Sequence, residues 1–339
     1  MSYRSRIIHI LAGTTLALSS PALAQDLEEV ILVVPNPSAI LIQPVAAAMD
    51  QGFFADEGLR VRVEAVNGSG PLIQALAAGQ AHIANPGAGT FLAAHQSGLE
   101  AKWIYRLNPN SSFSIVVLDS TEFHDPADLE GKIIGVGTAD GAETSFARSI
   151  FDEIGLVEDE DYTFLEVGEG GQAVAAFLRG DIDAYAAATN DAAIINTRGM
   201  TLRNLTPEKF RSFFGNGLVV LDSLIAENPE LVEGFGRALV RGADFVSQPE
   251  NIDAVIQAVA AINPQEVEDR EFAESLIGQI VIRQTPHDPS LGWGYQSLEA
   301  WEAWHQSLLA SGELATPVEN LEDVFTNEFV EEWNSVLSE

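Results

Sequence analysis

Apolar and polar positions follow two rhythms along this chain. Short runs with strand character fall at residues 30–34, 61–66, 82–85, 133–136 and 163–167. Each is followed by a stretch of helical spacing, at 39–51, 71–78, 90–97, 142–154 and 172–179. This alternation predicts an α/β fold of mostly parallel sheets flanked by helices. Beyond Pro229 the pattern turns helical: Leu231, Phe235 and Leu239 fall at i, i+4, i+8, and Ile252, Ile256 and Val259 at i, i+4, i+7.

The pattern also repeats. Phe54, Gly58 and Leu59 recur as Phe151, Gly155 and Leu156, and Gly70, Leu76 and Gly79 recur as Gly171, Phe177 and Gly180. One strand–turn–helix unit used twice implies two similar lobes. Strand-like runs at 114–118 and 218–221, each preceded by turn-forming residues, flank the second copy. Two crossings at these places would act as a hinge. The expected division is a first lobe of 25–112 with 216–339 and a second lobe of 113–215.

Residues 1–24 stand apart. Arg4 and Arg6 precede an uncharged, largely apolar run, and Ala22-Leu23-Ala24 closes it, the layout of a secretory signal peptide. That run is too short to span a bilayer. The chain has no cysteine, hence no lipidation thiol, disulfide or thiolate metal site. The expectation is a soluble periplasmic protein that is not a lipoprotein, and a monomer. Cleavage after Ala24 would take the formal net charge from −33 to −35, which argues against nucleic acid as a partner.

Candidate chemistry gathers where strands end, since ligands of open α/β sheets bind there, beside helix N-termini. Gly168, Gly170 and Ala173 spell the G-x-G-x-x-A of a dinucleotide site, but a solute site uses the same backbone donors. The strand-end loops of the first lobe hold Asn36, Ser38, Ser69, Gly70, Gly87 and Thr90 and no charged residue, with Gly70 as the expected N-cap and Pro71 the first helical residue. The second lobe offers Thr138, Thr144, Glu169, Gly170 and Asn190, with Phe113 beside the crossing. Asp140 and Asp191 read as helix caps. Glu169 is placed to accept hydrogen bonds from an amino-heterocycle. Arg106 is the one basic residue expected near the cleft mouth, with a salt bridge to a surface acid as its expected use. No catalytic or metal spacing links His82, His95, His124, His287 and His305, so neither a cofactor nor a reaction is implied.

Four segments in order carry a family resemblance: Gly52-Phe53-Phe54-Ala55-Asp56-Glu57-Gly58-Leu59, Leu76-Ala77-Ala78-Gly79-Gln80-Ala81-His82-Ile83-Ala84, Pro126-Ala127-Asp128-Leu129-Glu130-Gly131-Lys132-Ile133-Ile134-Gly135-Val136, and Phe177-Leu178-Arg179-Gly180-Asp181-Ile182-Asp183-Ala184. Together they resemble the periplasmic solute-binding proteins of ABC importers in the nitrate, sulfonate and thiamine-pyrimidine group. The stretch Phe325-Thr326-Asn327-Glu328-Phe329 is similar to the thiamine-pyrimidine binders. The resemblance implies a two-lobe type II periplasmic-binding-protein fold with ligand in the inter-lobe cleft, and a membrane permease with its ATPase as partner. The ligand implied is a thiamine-pyrimidine-like heterocycle, closely followed by an organic anion such as a sulfonate. The related pyrimidine-building enzyme carries a cysteine-rich motif that a cysteine-free chain lacks. The alternative reading is an exported hydrolase or a ligand-sensing module.

Overall fold

The computed structural model describes residues 27–66, 68–137, 142–168, 171–211, 213–311 and 314–337. Its ten strands are β1 (Glu28–Val34), β2 (Leu59–Ala65), β3 (Ile83–Ala84), β4 (Ala101–Tyr105), β5 (Phe113–Leu118), β6 (Ile133–Val136), β7 (Thr163–Glu166), β8 (Ala184–Ala188), β9 (Leu202–Asn204) and β10 (Leu218–Leu221). They form two five-stranded sheets of matching topology, β2-β1-β3-β10-β4 and β7-β6-β8-β5-β9. In each sheet a central strand pairs in parallel with two others, β1 with β2 and β3, and β6 with β7 and β8.

The reversed strand of each sheet is the one that enters it from the other. β5 runs antiparallel to β8 and β9, and β10 antiparallel to β3 and β4. A chain arriving from the opposite sheet must run away from the gap between them. The remaining strands point their carboxyl ends toward that gap, which brings their loops together.

The repeated glycines explain how both halves turn alike. Gly58 and Gly155 have φ of 75° and 81°, and Gly79 and Gly180 have 67° and 72°, the left-handed geometry that ends a helix before a strand. One helix begins earlier than the sequence suggests. Gly68, with φ 87°, is the N-cap of helix Ser69–Ala77, so Gly70 and Pro71 lie inside its first turn.

The first sheet is buried on both faces. Helices Gln43–Asp50, Pro229–Ser247 and Val330–Ser335 cover one face through Val45, Phe235, Leu239 and Trp333. Helices Ser69–Ala77, Ala88–Gln96 and Leu298–Ser311 cover the other through Leu72, Phe91, Trp301 and Leu308. Trp103 of β4 meets Phe91, Phe214 and Trp301 with ring centroids 5.2 to 5.6 Å apart, contacts each worth about 0.5–1.5 kcal/mol beyond burial. The outer edge of β4 is not left bare. Phe325 bridges to Trp103, the Thr326 N–H donates to the Trp103 carbonyl, and the Gln296 amide donates to the same oxygen. The 325–329 stretch singled out by resemblance therefore closes a sheet edge.

The two crossings bond to each other. The Asn108 N–H donates to the Asn216 carbonyl at 3.1 Å, the Gly215 N–H to the Asn108 carbonyl at 2.8 Å, and the Ser111 N–H to the Arg211 carbonyl at 2.9 Å. Helix Arg270–Gln284 makes a second link. It packs on helix Thr189–Thr197 of the second sheet, with the Ser275 hydroxyl donating to the Ala193 carbonyl.

Candidate functional site

Loop residues after β1 and β3 are tied down by their own side chains. Asn36 Oδ1 accepts from the Ser38 N–H, and Ser38 Oγ accepts from the Leu41 N–H. The N–H groups of Ala39 and Ile40 donate to the Glu266 carboxylate. An internal acid thus already takes the free N–H groups at the helix start after β1, so a solute in this region must be held by other donors. Ser69 Oγ accepts the Gly87 N–H at 3.1 Å, which joins the ends of β2 and β3. Gly70 and Thr90 are exposed beside them.

Among the second-lobe candidates, Phe113 opens β5 opposite Ala188 and packs half-buried on Phe146 at 5.9 Å. The Thr189 hydroxyl donates to the Ser112 carbonyl, and Asn190 next to it is exposed. Thr144 is fully buried, so it presents no surface to a solute in this conformation. Asp191 accepts the Ala188 N–H, in keeping with a cap. Thr138, Asp140, Glu169 and Gly170 lie outside the described residues.

A floor to this region comes from the hinge and from a residue the sequence reading missed. A small cavity of about 40 Å³ is lined by Asn36, Ser38, Asn85, Asn108, Asn216 and Arg283, among others. Its amides are cross-linked: Asn85 Nδ2 donates to the Gly217 carbonyl, Asn216 Nδ2 to the Asn85 carbonyl and Asn108 Nδ2 to the Asn216 carbonyl. Arg283 packs so closely on Gly215 that a Cβ there would overlap its guanidinium. Its Nε is buried without a hydrogen-bond partner among the described residues, and burial draws its pKa down to about 10.

A larger cavity of about 1000 Å³ touches the crossings elsewhere, at Arg106, Pro109 and Phe213. It shares no lining residue with the small one. Arg106 does not make the surface salt bridge expected of it. Its guanidinium lies 5.4 Å over the Phe214 ring, Nε is buried and unpartnered, and burial lowers its pKa to about 10. Other half-buried arginines found acids, as in Arg148–Glu158, Arg203–Asp119 and Arg237–Glu57. Of the aromatic residues beside the crossings and sheet ends, Trp103, Tyr105, Tyr185 and Phe214 are core residues, Trp293 packs partly buried against the core, and Phe213 and Tyr295 line the larger cavity. Among the described residues, no group of three or more His, Cys, Asp or Glu is placed to hold a metal ion.

Comparison with known proteins gives three kinds of likeness. The sequence profile described as NMT1/THI5 like matches residues 41–252. The riboflavin-binding protein RibY of Chloroflexus aurantiacus is 27% identical over 328 residues, 94% of this chain and 91% of that protein. Among solved structures, a putative sulfonate ABC transporter's periplasmic sulfonate-binding protein SsuA from Methylobacillus flagellatus superposes with a TM-score of 0.60 at 20% identity, covering 92% of this chain and 96% of that one. The desulfurization enzyme DszB superposes with a TM-score of 0.54 at 18% identity, over 91% and 99%. The two structures show that the fold is that of the periplasmic binding proteins, and that the same fold also carries an enzyme.

Proposed function

The chain belongs to the NMT1/THI5-like family, and from that premise we propose that it is the solute-binding component of an ABC importer. It would be exported by residues 1–24, work as a monomer without catalysis, and hand its solute to a membrane permease with its ATPase. The lobes are taken as 25–112 with 216–339, and 113–215. Solute would bind between them, at Asn36, Ser38, Ser69 and Gly87 on one side and Phe113 and Asn190 on the other, with Thr138, Glu169 and Gly170 completing the wall.

For the ligand, the observation that carries the reading is Arg283. A guanidinium whose buried Nε meets no acceptor among the described residues is costly unless something supplies one. It sits among amides and hydroxyls at the base of the cleft, in a hollow the size of a small oxyanion. This favours a small organic anion, a sulfonate or a carboxylate, over the thiamine-pyrimidine heterocycle. A second reading, a flavin-like heterocycle whose ring carbonyls would meet the same donors, is favoured by the likeness to the riboflavin-binding protein over 94% of the chain.

Thermal midpoints measured with an alkanesulfonate, nitrate, the thiamine pyrimidine and riboflavin test the proposal. A solute that binds only the folded state adds roughly 2.7 kcal/mol at a hundredfold excess over Kd. The expected result is a rise with the sulfonate, larger than with either heterocycle. A flat response to all four would remove the ligand reading, and turnover of any would replace binding by catalysis.

A further inference from the structure

The larger cavity has features of a site in its own right. Both sheets contribute: helices Ala142–Glu153 and Glu208–Arg211 from one side, the 286–297 stretch and helix Leu298–Ser311 from the other, with the crossings between. None of the described strand-end residues proposed for solute capture lines it. Its volume, about 1000 Å³, lies at the upper end of what pockets for small organic ligands provide. Arg106 lines it, backed by the ring of Phe214 and with no acid bound among the described residues. That is unusual in a chain with 50 acidic and 17 basic residues, where a counter-ion is easy to find.

Most of the other charged residues in the lining have the opposite sign. Glu208, Asp288, Glu299 and Glu302 line the cavity, Glu208 also facing Arg211 and His287 and Asp288 also accepting from Ser290, while Lys209, the other strong base there, is paired with Glu153. A purely anionic solute would be held by Arg106 but repelled by these acids. A diamine would suit the acids but would leave Arg106 without an acceptor and face its charge. A molecule carrying one carboxylate and one or more amines meets both demands. Phe210, Phe213 and Ala303 supply apolar walls between the two charges.

We propose that this cavity is a second binding site, taking a zwitterion of the amino-acid or dipeptide kind, with its carboxylate on Arg106 and its amines toward the acids. Because residues of both lobes line it, its occupant couples to lobe movement, and by reciprocity to solute affinity in the other cleft. A contact between the two sides already crosses it: His287 Nδ1 lies 3.4 Å from the Glu208 carboxylate.

Calorimetric titration of the purified protein with lysyl-alanine, its C-terminal amide and cadaverine tests the proposal. Lysyl-alanine binds, and the amide and the diamine bind at least about tenfold more weakly, the loss expected from one charge-assisted hydrogen-bonded pair. Arg106→Met produces the same loss with lysyl-alanine, whereas Arg270→Met, at an exposed position outside the cavity, leaves its affinity unchanged. Should Arg106→Met disturb folding, the double change Glu299→Gln and Glu302→Gln, at two exposed helix positions, weakens lysyl-alanine several-fold while leaving the thermal midpoint in place. No binding of lysyl-alanine, equal binding of the amide, or affinity that survives both sets of changes overturns it. Because the titrations are run without sulfonate present, each site is read alone and either can fail without the other.

Discussion

Arg283 lies at the end of a helix whose polarity is inverted. Ile282 beside it is 66% exposed, while Arg283 points inward and buries its Nε. A sequence reading that sends isoleucine to the core and arginine to water misplaces both, and nothing in the run Ile280-Val281-Ile282-Arg283-Gln284 marks the exception. The uncharged loops were legible for the opposite reason, since Asn, Ser and Gly after a strand have local uses that spacing reveals, as in the turn of Asn36 and Ser38. Thr144 shows the limit of that logic: its place just inside a helix suggested a ligand hydroxyl, but its side chain faces the core. The test at this scale is Arg283→Met. It is expected to weaken alkanesulfonate binding about tenfold or more, while the melting midpoint without solute holds or rises, because an unpartnered guanidinium leaves the interior. A lowered midpoint with unchanged affinity would make Arg283 a packing residue.

Elements were read more reliably than side chains because their signals are local and redundant. The helix expected at 142–154 is found at Ala142–Glu153, and the strand expected at 133–136 matches Ile133–Val136. The repeated glycines were visible because a left-handed turn all but requires glycine. β4 and β9 were missed, being short edge strands whose partners lie far away in sequence. How closely helices pack was also invisible. Helices Gln43–Asp50 and Pro229–Ser247 approach at Gly242, where a Cβ would overlap the Pro44 carbonyl and come within 3.1 Å of Ala48 Cβ. Gly242 lies mid-helix, where alanine is ordinarily the better residue by about 1 kcal/mol. Gly242→Ala is nevertheless expected to destabilise by about 1–3 kcal/mol, since backbone must move. Denaturant unfolding reads this directly, and a gain in stability would mean that the helices can part at little cost.

For the molecule as a whole, the constraint is that the lobes are joined in two ways of different stiffness. The crossings are short, bonded to each other and rich in turn residues, the kind of link that bends. Helix Arg270–Gln284 is a packed contact, with its C-terminal Gln284 amide donating to the Leu41 carbonyl in one lobe and its Ser275 hydroxyl to the Ala193 carbonyl in the other. Closure must therefore bend the crossings while sliding helix Arg270–Gln284 over helix Thr189–Thr197, a hinge with a sheared side. A bound anion at Arg283 touches both parts at once, because Asn110 donates from the first crossing to the Arg283 carbonyl through its backbone N–H and through its side chain. Solute is then expected to shift the population toward a closed form that already exists, by no more than its difference in affinity for the two states. Small-angle scattering should show a smaller radius of gyration with saturating alkanesulfonate, and hydrogen exchange should slow at Asn108, Gly215 and Asn216, whose N–H groups lie in the crossings. With Arg283→Met the same solute at the same concentration should leave both observables near their solute-free values. If solute binds and neither radius nor exchange changes, the lobes are fixed by helix Arg270–Gln284, and recognition by a permease must rest on the solute-covered surface instead of on closure.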